Sequence, residues 1–331
     1  MNAITIIIAP RERYYGVIEC IDAVFENSDE AFNLIIPDVG YPKSLLVKVE
    51  ARLANVENAK IVHMGGMITP MKVLETLLPD ISTEILIWIE TDTIVLEGWL
   101  PPLIEGINEG ASFVSPLTLE KEGVDEGAKI RTHLYTSKIL VVDYNDEDYL
   151  IEGKEFRREL PENLPNEIRP TETFEWHTVA FKTDDLKLVD FPAMVMRQHI
   201  DIPMQLRSLG KRMISNPNSK VIFDNLCTRL KIHDMRYFFF VWDQKLNEQS
   251  SRIFEKRWGY KFYSEQSIYN WVFRRKVFLI CRFCFIPIPL ANKITGFCRR
   301  VFCKEWDPLQ DPIGMSRQLS KEIGHPKPII E

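Results

Sequence analysis

No Gly-x-Gly-x-x-Gly follows the first apolar run of this 331-residue chain, and no Gly-Lys-Ser/Thr of the Walker type occurs in it. The first absence disfavours a dinucleotide fold of the dehydrogenase type, and the second removes the P-loop way of cradling phosphate. Positive charge is not in excess: 41 Lys and Arg stand against 47 Asp and Glu, a net charge of -6, which argues against nucleic acid as the main partner. Cysteine is scarce. Cys20, Cys227, Cys281, Cys284, Cys298 and Cys303 are too few and too unevenly spaced for a disulfide framework, and are expected to be reduced. Gly and Pro are not enriched enough for disorder. The apolar stretch Val277 to Leu290 is too short to span a membrane and is broken by Arg282, Pro287 and Pro289. No basic segment precedes the apolar residues at the N-terminus, so no signal peptide is expected and the cytoplasm is the default compartment. With 45% hydrophobic and 27% charged residues, the composition is that of a folded globular protein with a proper core.

What is present is organised around Ile85 to Leu100. Ile85-Leu-Ile-Trp-Ile89 has the length and β-branched content of a strand buried on both faces, and it ends in Glu90-Thr91-Asp92. In an open α/β sheet, ligands bind outside the carboxyl ends of the strands, where two carboxylates one residue apart can hold a divalent cation. The same three residues also make an ordinary polar turn. Upstream, strand-like runs Ile4 to Ala9, Phe32 to Ile36 and Lys60 to His63 alternate with helical patterns through Val17 to Phe25, Leu45 to Leu53 and Val73 to Leu78. Such alternation calls for a mostly parallel sheet with helices on both faces. The strand ends then deliver Pro10, Arg11 and Glu12, Asp38, Gly65 and Gly66, and Glu90 with Asp92 to one edge.

An acid after the second strand and Glu-Thr-Asp after the fourth resemble the GT-A fold of family 2 glycosyltransferases, whose Asp-x-Asp holds the metal of a nucleotide-sugar. The order of later segments extends the resemblance to about residue 230: Ala111 to Leu117, Glu175-Trp-His-Thr-Val-Ala-Phe181, Gln198-His-Ile-Asp201 with its helix to Lys211, and Lys220 to Phe223. The resemblance implies an α/β fold of the nucleotide-diphospho-sugar transferase kind over residues 1–230. A basic, aromatic-rich helical extension over 231–306 and a poorly ordered tail over 307–331 complete the expected organisation. It implies an inverting glycosyltransferase of polysaccharide biosynthesis, acting from a nucleoside diphosphate sugar on a hydroxyl of a glycan or lipid-linked acceptor. Mn2+ or Mg2+ would sit on Glu90 and Asp92, and the donor on Pro10, Arg11, Glu12, Asp38, Gly66, Lys72 and Thr91. Trp176 and His177 would face the acceptor, and Asp201 and His199 would be catalytic.

Two departures from the family pattern bear on activity. Glu90 stands for the usual first Asp, with a longer arm, and Gln198 stands where a carboxylate is common; a glutamine cannot accept a proton at neutral pH. Asp201 or His199 must then act as base, or the chain is a silent nucleotide- or carbohydrate-binding protein of the same fold. A sugar nucleotidyltransferase is a third reading, against which the loop after the first strand lacks the glycine-rich, basic pattern. Each residue also has a plainer role: His177 and His199 as interior histidines, Arg11 as a solvated charge, Trp176 as core, and Asp201 as the N-cap of a helix starting near Pro203. From Gln266 to Lys304 there is no acidic residue, while Arg and Lys interleave with Trp and Phe. That pattern is expected to lie on an anionic membrane, at the inner face of the plasma membrane, or else to cover the enzyme core. The spacing of Cys281, Cys284, Cys298 and Cys303 is also compatible with zinc, though the intervening residues lack turn formers.

Overall fold

The structure is a computed structural model and describes residues 3–121, 129–144, 146–224, 231–262, 265–303 and 327–328. Strands β1 (Ile4–Ala9), β2 (Asn33–Asp38), β3 (Ala59–His63) and β4 (Ile85–Glu90) are parallel in the order β3-β2-β1-β4. Helices α1 (Val17–Glu26), α2 (Lys43–Leu53) and α3 (Pro70–Leu77) make the connections. β1 and β4 are buried along their whole length, which is why they read as unbroken apolar runs rather than as alternation.

Past Asp92 the chain forms a short strand, β5 (Thr93–Val95), then α4 (Pro101–Asn108) and β6 (Phe113–Lys121). β7 (Ile130–Leu134) pairs with β6, and β8 (Thr136–Tyr144) with β9 (Glu147–Glu155) makes a separate hairpin. The sheet is then extended from β4 by antiparallel β11 (Thr178–Lys182), by β6, by β12 (Met213–Phe223) and by two-residue β10 (Arg169–Pro170). α5 (Thr183–Leu186) and α6 (Gln198–Ser208) lie between β11 and β12. α7 (Met235–Val241), α8 (Gln244–Trp258), α9 (Glu265–Phe283) and α10 (Ile288–Phe302) follow.

Register decides what meets at the sheet edge. Ala9 pairs with Glu90 and Thr178 with Ile89, so the loop after β1, the Glu-Thr-Asp turn and His177 come level. The Glu90 N–H donates to the His177 carbonyl at 3.1 Å, and the Thr91 N–H to Ala9 at 3.0 Å. β5 pairs Thr93 with Phe223, which brings the end of β12 to the same place.

Two expectations change here. The helix expected near Pro203 begins at Gln198 with Arg197 as its N-cap, so Asp201 lies inside the first turn and is not a cap. The zinc arrangement does not form, since the described residues hold no cysteine in a group able to ligate a metal. Residues 307–326 and 329–331 of the expected tail lie outside the described residues.

Candidate functional site

Glu90 and Asp92 are both buried at the carboxyl end of β4, beside His177 at the start of β11. Nδ1 of His177 is 2.8 Å from Glu90 Oε2 and 4.0 Å from Asp92 Oδ1. One ligand atom from each of these three residues lies within 4.8 Å of the others. Asp92 Oδ1 is buried and has no hydrogen-bond partner. Such an acceptor is costly to leave unmatched, and an ion is one way to satisfy it. Two carboxylates and an imidazole suit a divalent ion of the manganese type. The residues therefore fit a metal.

The charges around this trio are unusual. Burial raises the Glu90 carboxyl to about 8 despite nearby Arg11, and burial lowers His177 to about 3. Burial thus favours the neutral form of both groups, which matches their short contact. Burial also raises Asp92. Arg11 bridges the two acids, with Nη1 3.4 Å from Asp92 and Nε 3.7 Å from Glu90, while its guanidinium lies 4.9 Å from the centre of the Phe223 ring. That ring stacks on His177 at 3.6 Å.

A cavity of about 430 Å³ opens over Glu90 and His177, while Asp92 lies behind them and does not line it. Arg11, Glu12, Glu90, His177 and Phe223 line it from the sheet edge; His133, Glu152, Lys154, Glu175 and Trp176 line it from β7, β9 and the approach to β11. The start of α6 adds Arg197, Gln198 and His199, and the C-terminal helices add Trp271 and Arg275, with Trp242 just after α7. Glu175 is bonded to Lys154, and His133 Nε2 is 3.4 Å from it; although burial opposes ionisation, the Lys154 ammonium and the hydrogen bond from His133 hold its carboxyl well below the usual range. Burial lowers His199.

Of the residues expected at the site, Pro10 adjoins the cavity-lining Arg11 and Glu12, and its carbonyl accepts from the Tyr237 hydroxyl at 3.2 Å. Asp38 holds its own turn, accepting from Gly40 and Tyr41 N–H groups, with His63 Nδ1 at 2.8 Å. Gly66 is exposed at a positive φ, and Lys72 pairs with Glu75 on the surface of α3. The Thr91 hydroxyl donates to the Arg13 carbonyl at 3.1 Å and so fixes the loop rather than facing the cavity. Neither these four residues nor Asp201 line it. Asp201 accepts from Trp258 Nε1 at 2.7 Å and Gln205 Nε2 at 2.9 Å, with Arg257 Nε at 3.3 Å. These partners make it a joint between α6 and α8. The Gln198 amide donates to the Met194 carbonyl.

Sequence reasoning missed Glu152, Lys154, Arg13, Gly16 and Arg275. The fully buried Arg13 sits 3.8 Å from Asp92. Gly16 has φ +113°, and a Cβ there would stand 2.6 Å from the Thr91 carbonyl oxygen, so only glycine lets the loop pass over the acidic turn. Arg275 of α9 pairs with Glu12, whose Oε2 also accepts from Trp242 Nε1 at 2.8 Å. Asp234 accepts from the Tyr14 N–H at 2.7 Å. Thus the C-terminal helices grip the loop that carries Arg11.

Neither a protein-family model nor a curated protein matches the sequence. Among solved structures, GalNAc-T7 with UDP, GalNAc and Mn2+ is similar over all of this chain, with a TM-score of 0.54 at 12% identity. The fold is the GT-A fold. The chain spans 60% of that protein's length. Also similar are S. aureus TarS 1–349 in complex with UDP-GlcNAc and the mannosyltransferase PcManGT from Pyrobaculum calidifontis with GDP-Man and Mn2+. TarS has a TM-score of 0.49 at 12% identity, covering 98% of this chain and 93% of that one. PcManGT has 0.47 at 13%, covering 97% and 81%. In this sheet Glu90 and Asp92 stand at the turn after β4, and His177 enters the same place just before β11.

Proposed function

We propose that this chain is an inverting, metal-dependent glycosyltransferase that moves a hexose or related sugar from a nucleoside diphosphate sugar to a hydroxyl of a glycan or lipid-linked acceptor. The observation that carries the reading is the buried trio Glu90, Asp92 and His177 under the cavity of a GT-A sheet. Glu90, Asp92 and His177 would hold Mn2+ or Mg2+, which when bound supplies positive charge to the leaving diphosphate. Arg11, on the same side, is placed to turn from the acids to phosphate oxygens. The donor's base and ribose would lie toward Asp38 and Gly66. Trp176 and His177, which line the cavity, would stand on the acceptor side of it.

Inversion needs a base on the far side of the anomeric carbon. Glu175 fits that role better than Asp201, because it lines the cavity and Asp201 does not. His199 lines the same part of the cavity and is kept neutral by burial, so it can take or relay a proton. A cytoplasmic enzyme working at the inner face of the plasma membrane accords with a lipid-linked acceptor, and among the described residues no helix is long and apolar enough to cross a membrane.

The second reading, a silent binder of nucleotide or carbohydrate, draws on the way Arg11 and the Glu90 proton already neutralise the acids. Calorimetric titration with UDP and GDP, with and without manganese, followed by a nucleotide-sugar turnover screen, separates the two. Metal-dependent nucleotide binding with turnover supports the enzyme, and binding without turnover across a broad acceptor panel supports the silent protein. If no nucleotide binds with any divalent ion, the transferase reading fails and only a carbohydrate-binding form of the second reading survives.

A further inference from the structure

Helix α10 turns its apolar stripe outward. Leu290, Ile294, Phe297 and Val301 recur at spacings of four, three and four, which puts them on one face of a helix. In a helix covering a core this face would be buried, yet Leu290 is 49%, Phe297 59% and Val301 54% exposed. Its other side carries the buried Ala291, and α10 packs there on α9. Exposed Lys293 and Arg300 flank the stripe. The turn between the two helices adds Phe285, 72% exposed, at a φ of +64° that a bulky residue seldom adopts.

We infer that the α9–α10 hairpin docks on an anionic lipid bilayer through Phe285 and the Leu290-Phe297-Val301 face. The occupant follows from charge and shape together. Every formal charge from 266 to 303 is positive, in a protein whose net charge is -6, so the complement is anionic. A partner that must accept both exposed aromatic rings and basic side chains along a straight 15-residue helix is a headgroup layer over hydrocarbon. The helix lies on that surface and does not cross it, since a span needs about 20 apolar residues. The site is mechanically joined to this surface, because Arg275 and Trp271 of α9 line the cavity and Arg275 holds Glu12. The inference is independent of the transferase reading.

Flotation of the full chain with phosphatidylcholine vesicles, with and without phosphatidylglycerol, tests it. Wild type is expected to float with the anionic vesicles alone and to be released as salt rises. Phe297→Ser with Val301→Ser should lower partitioning about tenfold or more, since two large apolar groups no longer enter hydrocarbon. Lys293→Glu with Arg300→Glu should lower it comparably at low salt and weaken the salt dependence, since five basic residues remain between 266 and 303. Both pairs lie on the surface and away from the cavity, so melting temperature and nucleotide binding should match wild type; that comparison separates failure here from failure of the donor site. Equal flotation with both vesicle types, no flotation with either, or unchanged flotation of the Phe297 and Val301 variant would overturn the proposal. So would self-association in light scattering that the same substitutions abolish without any vesicle binding, which would assign the stripe to a second copy of the chain.

Discussion

Replacing Glu12 by Gln keeps the shape of the side chain and its acceptor for Trp242, but removes the charge that faces Arg275. Both groups are out of solvent, with Glu12 fully buried and the Arg275 side chain 13% exposed. Burial alone would lift the Glu12 carboxyl, but Arg275, helped by Arg11 and Arg13, holds it at about 2 against an ordinary 4.5. At about 1.4 kcal/mol per pH unit, that difference is worth at most about 3 kcal/mol of folding stability, because burial lowers the Arg275 pKa and works against the pair. Breaking a buried pair by removing one partner costs about 3–5 kcal/mol, so the two routes meet at the lower end of that range. The sign follows from the depressed value: the contribution is complete above about 4.5 and disappears as pH falls toward about 2. In urea at pH 7, Glu12→Gln should move the unfolding midpoint down by about 1 M, taking a slope of about 3 kcal/mol per M for a chain of this size. At pH 3 the gap between wild type and variant should shrink to about 1 kcal/mol. Arg275→Met in the Glu12→Gln background should recover part of the loss, because no buried charge is then stranded. A gap that is absent at pH 7, or the same at pH 3 and pH 7, would show that the pair does not hold the loop as described.

Asp92→Asn should abolish the metal-dependent part of the stabilisation by nucleoside diphosphate in a thermal-shift assay; an undiminished shift removes Asp92 from the metal site. Since Glu90 is raised to about 8, an ion entering below that pH must displace its proton, so manganese affinity should rise by up to about tenfold per pH unit until about pH 8. An affinity that is flat from pH 6 to pH 8 on titration calorimetry would contradict the protonated Glu90. Glu175→Gln should reduce turnover by roughly 10²–10⁴-fold with nucleotide affinity kept, whereas Asp201→Asn should mainly cost stability, about 1–3 kcal/mol through Trp258 and Arg257. The reverse pattern in paired rate and unfolding measurements would return the base to Asp201. Gly16→Ala should destabilise the protein and weaken nucleotide binding together, because the loop over Thr91 must shift; a variant indistinguishable from wild type would refute the close approach.

The alternation of strand and helix through Glu90 was legible because each unit is local: a buried apolar run of five or six residues, a turn, an amphipathic helix. β5 was not legible. Thr93-Ile-Val95 reads as the tail of a turn, and its status as a strand comes only from pairing with Val221–Phe223, more than 120 residues away. The start of α6 was misread for a related reason. Asp201 two residues before Pro203 has the look of a cap, but the chain enters the helix earlier, from Arg197 at a φ of +79°, and buried contacts with α8 override the local signal.

The site divides along the same line. Glu90 and Asp92 were legible as candidates because two carboxylates directly follow a buried strand, though the same residues also read as a polar turn. The residues that give those acids their character come from everywhere else: His177 through the antiparallel register of β11, Phe223 through β12, and Arg275 through a helix that begins nearly 180 residues later. Glu175 opens the segment Glu175–Phe181, yet nothing local separates a cavity-lining glutamate from a solvated one. What separates them is Lys154 on a different hairpin and His133 on a different strand, holding the carboxylate ionised while neighbouring burial protonates Glu90. Two glutamates close to one histidine are thus driven in opposite directions, one kept charged and one kept neutral. That divergence comes from partners on separate strands and hairpins, and it exists only once the sheet has closed.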